Sequence, residues 1–120
     1  MTALLTLALG LGLAAPLPRA YVDNGSARVP LVISSWCRGN RCGAPIAASK
    51  HVVRRHRGQL VRCVLGFTPT NVRVDVGGAP AAVDAHGDEV DWRATRGGGI
   101  TVTASSRGLW VTYVGRLVVR

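Results

Sequence analysis

The chain has 120 residues, with 15 Lys+Arg against 6 Asp+Glu, three cysteines and a formal net charge of +9. That length suits one domain and leaves no room for a second core, and the charge favours phosphates, anionic glycans and acidic surfaces over cationic partners. Fourteen of the fifteen basic residues are Arg and only Lys50 is Lys, a bias that a GC-rich genome also produces without selection for binding.

The first stretch is apolar and uncharged from Ala3 to Ala15 and breaks at Pro16 and Pro18. It is shorter than the ~20 residues a membrane-spanning helix needs, and matches the hydrophobic region of a secretory signal. Small residues at Gly12 and Ala14, or Ala20 ahead of Tyr21, offer cleavage points near 14 or 20. No Lys or Arg precedes the apolar run, so only the terminal amine supplies positive charge there. The expected layout is a signal peptide over 1–20 and a single domain over 21–120, in a secreted protein. The alternatives are a leader that stays uncleaved and tethers the domain to a membrane, and a buried N-terminal element.

Beyond the leader the chain reads as short alternating strands. VPLVI places Val29, Leu31 and Ile33 on one face, and a weaker strand lies around His51 to Arg54. LVRCVLGF turns Val61, Cys63, Leu65 and Phe67 one way and Arg62 the other. VRVDV buries Val72, Val74 and Val76, and VDWRA buries Val90, Trp92 and Ala94 with Asp91 and Arg93 facing water. ITVTA buries Ile100, Val102 and Ala104, and the last strand points Val111, Tyr113 and Leu117 inward with Trp110, Thr112 and Arg116 outward. Glycine-rich turns punctuate the pattern. About seven strands, each with one apolar face, predict an all-β fold, a sandwich of two sheets.

The stretch SSWCRGNRCG sets Cys37 and Cys42 five positions apart. A structural zinc site wants four Cys or His ligands from two short-spaced pairs, and a redox pair is usually Cys-x-x-Cys at a helix start. Neither pattern is present, so the expected state is a disulfide across a tight loop, with Cys63 a buried free thiol. Pairing of Cys63 with Cys37 or Cys42 would instead staple two strands. A strand ending in Ser-Trp-Cys, then a second Cys, followed by GQLVRCVLGFTPTNVRVDV and LWVTYVGRLVV, resembles secreted bacterial proteins with an immunoglobulin-like β-domain. The resemblance implies a secreted β-sandwich and carries no catalytic residues. Immunoglobulin domains have a Trp between their two cysteines, whereas Trp92 follows all three here.

The strongest charge run, KHVVRRHRGQLVR, contains Lys50, Arg54, Arg55, Arg57 and Arg62. On two adjoining strands these would form one basic hairpin for phosphate, sulfate or carboxylate groups, with Trp36, Trp110 and the loop arginines Arg38 and Arg41 as further candidate contacts. The alternative is a solvated hairpin. Arg93, Arg96 and Arg107 serve as a set outside that hairpin. Asp84 and Asp88 in DAHGDEVD could hold calcium weakly, but the full loop spacing is absent and a polar turn is expected. No nucleophile-and-base pattern is present, and RGGGI lacks the helix that a phosphate cradle needs. Nucleic-acid motifs are missing, with one Phe and two Tyr for stacking. No metal or cofactor is expected. The predicted role is a non-catalytic binding or structural module of the bacterial cell exterior, its partner an anionic envelope polymer or an acidic protein. The alternative is a thiol-dependent redox protein or other small secreted enzyme using Cys37, Cys42 and Cys63.

Overall fold

The structure, a computed structural model, describes residues 16–43 and 52–120. The expected hydrophobic region of the leader, up to Ala15, and the candidate contact Lys50 lie outside the described residues.

Two antiparallel sheets pack face to face. The smaller has the order β2 (Arg28–Pro30), β1 (Tyr21–Asp23), β6 (Leu60–Val64), β10 (Glu89–Arg93), β9 (Asp84–His86). The larger runs β4 (Arg41–Gly43), β3 (Val32–Arg38), β12 (Leu109–Val119), β11 (Gly98–Ser106), β7 (Asn71–Val76), β8 (Ala79–Pro80). A seventh strand of that sheet, β5 (Val53–Arg55), pairs with the end of β12 and is its parallel member. The all-β sandwich is therefore as the alternation predicts. The strand number differs, twelve among the described residues rather than about seven, because two- and three-residue strands at turns and edges are too short to show a period.

The core lies between the sheets. Val22, Val61, Cys63, Val90 and Trp92 from the smaller sheet meet Val74, Val76, Ile100, Val102, Val111, Tyr113 and Leu117 from the larger. Most of these are the inward members of the alternating strands. Burying one Val or Leu side chain stabilises by roughly 1.5–3 kcal/mol, so this double row supplies the main drive for sheet-on-sheet packing.

Two local departures from strict alternation redirect side chains. VPLVI is not one strand: Val29 belongs to the smaller sheet and Ile33 to the larger, and the chain crosses between them at Leu31. The Leu31 amide donates to the carbonyl of Ala20 at 2.9 Å, and its side chain occupies the space over Gly115. The second departure is a bulge in the β3–β12 ladder at Ser34, where the register shifts between Thr112 and Tyr113. Ile33 faces Tyr113 inside the sandwich; three residues later Trp36 faces the buried Val111. The extra residue has reversed the parity of the strand.

Candidate functional site

The bulge decides where the candidate residues of the cysteine loop go. Trp36 is half-buried, packs against the core and lies across Gly43, leaving no room there for a side chain. Cys37 is then the outward residue, directly opposite Cys42 across the β3–β4 hairpin, and the two form a disulfide. Gly39, with φ 61°, closes the turn in a conformation that L side chains rarely adopt. Closing so short a loop stabilises by roughly 2 kcal/mol in the chain-entropy treatment. Trp110 pairs with Cys37 on that outer face and is 40% exposed. Of the two candidate contact tryptophans, Trp110 is exposed and Trp36 is not.

The charge run also divides. β5 and β6 are joined by a turn at His56–Gln59, but they enter different sheets, so the described part of the basic run, 52–62, is not a hairpin. The turn is pinned on both sides: the His56 amide donates to Gln59 Oε1 at 2.8 Å, Gly58 N to Ala94 O at 2.8 Å, and Ala94 N to Gln59 O at 2.8 Å. These bonds send β6 into the smaller sheet while β5 stays beside β12.

Arg62 consequently projects from the smaller sheet into an acidic group. Its Nε lies 3.1 Å from Asp91 Oδ1 and 3.5 Å from Glu89 Oε1, and its Nη2 donates to Asp91 Oδ2 at 3.2 Å. His86 Nε2 approaches the same carboxylate at 3.3 Å. Asp91 occupies an outward register position yet is only 7% exposed, because Arg62 and His86 cover it. Burial alone would raise its pKa; the hydrogen bonds and charge of Arg62 and His86 outweigh that and hold it below the ordinary carboxylate value. The same contacts hold the Arg62 guanidinium above its ordinary value. Among the described residues, His86, Glu89 and Asp91 are the one trio with ligand atoms close enough to share a cation. Arg62 already pairs with both carboxylates of that trio and offsets one of their two charges, and the candidate calcium ligands Asp84 and Asp88 are not members of it.

At the other branch, β5 runs parallel to the end of β12, with Arg54 opposite Val118 and Arg55 opposite Val119. The ladder continues past the strand ends: Arg120 N donates to Arg55 O at 3.1 Å, and Arg57 N to Arg120 O at 2.9 Å. This interlock places Arg54, Arg55, His56 and Arg120 around one open cleft of about 100 Å³. On the outer face, Arg116 and Arg120 flank Val118 at i±2, so Arg54 stands diagonal to both. Arg57 Nη1 donates to Thr95 O at 2.9 Å and Arg93 Nη1 to Gly58 O at 3.3 Å. Arg93 thus belongs beside the cluster rather than apart from it. Among the described residues, no carboxylate forms an ion pair with Arg54, Arg55, Arg57, Arg116 or Arg120. Arg55 Nε is buried and has no acceptor.

Trp110 is not part of this cluster. It stands eight residues before Val118 on an extended strand, on the order of 27 Å away. Arg38 and Arg41 share the Trp110 end, where Arg38 Nη2 lies 3.4 Å from the Pro16 carbonyl.

The last candidate group is the thiol. Cys63 is free, fully buried between Val22 and Val90 in the smaller sheet, and its pKa is pushed up to about 12 by burial and then by the charge of Asp91. A thiol so placed stays protonated near neutral pH.

No protein-family model matches this chain, and comparison with curated proteins and with solved structures found no match either. Among the described residues no helix is long and apolar enough to cross a membrane.

Proposed function

We propose that this protein is an exported, non-catalytic binding module that captures anionic polymers through the arginine cluster at the β5–β12 end of the larger sheet. The observation that carries this reading is Arg54, Arg55, Arg57, Arg116 and Arg120 gathered at one end of a sheet without a carboxylate partner among the described residues. Guanidinium groups without a carboxylate partner, at neighbouring positions, present forked donors to phosphate, sulfate or carboxylate groups. A polymer meets several of them at once, so weak individual contacts add while a single small anion gains little.

A role outside the reducing cytoplasm is supported by the apolar run at the N-terminus and by the Cys37–Cys42 disulfide, a bond that persists in oxidising compartments. A thiol-dependent activity is disfavoured by the burial of Cys63. In the native protein it should resist alkylation at pH 7–8 over hours and become reactive only on unfolding; rapid modification of the folded protein would revive the redox alternative.

Binding is tested with heparin as the probe polymer. Replacing Arg54, Arg57 and Arg120 with Gln removes three cluster charges. If each exposed arginine contributes about 0.5 kcal/mol, affinity falls about tenfold. The slope of log affinity against log salt should also shrink by about two units, at about 0.7–0.9 for each arginine charge removed. The same change at Arg41, Arg73 and Arg107 removes equal charge elsewhere and should cost far less. Equal losses from both triples would leave only diffuse attraction by net charge.

A further inference from the structure

The segment just before the first strand is built into the domain. Tyr113, fully buried in the core, donates its hydroxyl proton to the Pro18 carbonyl at 2.7 Å. The Ala20 side chain is itself part of the core, and its carbonyl accepts the Leu31 amide at 2.9 Å, the bond that fixes the crossing between the sheets. Beneath the segment, a methyl group at Gly66 would sit 2.9 Å from Pro18 Cβ and 3.0 Å from the Arg19 carbonyl, so the loop carrying Gly66 is shaped to receive it. At the outer end, Arg38 reaches the Pro16 carbonyl.

We infer that Pro16–Ala20 is a permanent strap of the folded domain, and that export processing cuts the chain before it, at the Ala14–Ala15 bond. This rests on the export reading above. Of the two candidate cleavage points, cutting after Ala20 would strip the core of a residue, leave the Tyr113 hydroxyl buried without its acceptor and free the Leu31 amide. A buried polar group that loses its partner keeps the full desolvation penalty. Cutting after Ala14 leaves all of these contacts intact, with Gly12 and Ala14 as the small residues ahead of the bond. The step is amide hydrolysis by a signal peptidase: water adds to the Ala14 carbonyl carbon, the C–N bond breaks, and a carboxylate on Ala14 and an amine on Ala15 result.

The test is to express the full chain in a bacterium with a general secretory pathway and to determine the N-terminus of the protein outside the cytoplasm. The expected start is Ala15, and Ala14→Leu should abolish that processing. A mature chain starting at Tyr21, six residues shorter, would overturn the strap while leaving export intact. A full-length chain held in the cells would overturn the export reading, and the cleavage assignment with it. Tyr113→Phe in the exported protein adds an independent readout. With the strap in place, Tm should drop by about 4–8 °C, the shift expected for one missing hydrogen bond in a domain of this size. An unchanged Tm would mean that the Pro18 contact does not hold the domain together.

Discussion

Arg62 and Arg54 lie eight residues apart in one basic run, yet they meet opposite environments. Arg62 enters the smaller sheet, whose strands carry Asp23, Asp84, Glu89 and Asp91 against Arg28, Arg62 and Arg93. Arg54 enters the larger sheet, whose described strands carry six arginines and a single carboxylate, Asp75, itself 3.2 Å from Arg73. The first environment neutralises an arginine and uses it to cover a buried acid. The second leaves Arg54 and Arg116 exposed, with no carboxylate partner among the described residues. Local charge density therefore does not decide whether an arginine is left without a carboxylate partner; what matters is whether the fold delivers carboxylates to the same place.

The largest effect should come from breaking the paired region. Asp91→Ala removes the acceptor that Arg62 and His86 share, and should destabilise the domain by about 1–3 kcal/mol, read from denaturant midpoints at constant m-value. A change within 0.5 kcal/mol would mean that the acidic network is ornamental. Next is the loss of heparin affinity on changing Arg54, Arg57 and Arg120, about tenfold, which should leave the denaturant midpoint nearly unchanged.

The paired region also sets the acid limit. Because the folded pKa of Asp91 lies below its unfolded value of about 3.9, the stability it contributes is fully present above that value and is lost as pH falls through the folded pKa. Stability should therefore fall below about pH 4, and Asp91→Asn should flatten that part of the curve. Parallel acid profiles for the two proteins would contradict the assignment. The smallest effect sharpens the contrast: Arg62→Gln removes a positive charge from the same basic run, yet should change heparin affinity by less than about twofold, a single exposed contact at most.

Much of the fold is legible in the sequence. The period of two in VRVDV, ITVTA and the last strand assigns inward and outward faces correctly, and the short spacing of Cys37 and Cys42 in a turn-forming context points to their disulfide. What escaped it is non-local. Trp36 turned inward because one extra residue at Ser34 reversed the strand's parity, and nothing in VISSWC marks a bulge. VPLVI reads as a strand because the crossing at Leu31 depends on the Ala20 carbonyl, eleven residues earlier. The basic run reads as a hairpin because the parallel partner of β5 lies more than sixty residues downstream. Asp91 reads as a solvated residue because its cover, Arg62, comes from a different strand. The arginine types of the candidate site were visible in the sequence; the division between paired and unpaired ones was not.

The most direct test of the central claim is a map of backbone amide NMR shifts as heparin is titrated into the isotope-labelled protein at moderate salt. The largest shifts are expected at Val53–Arg57 and Arg116–Arg120, with Arg62 and the β9–β10 hairpin nearly silent. Shifts spread evenly over both sheets, or centred on Trp110 and the disulfide, would contradict it.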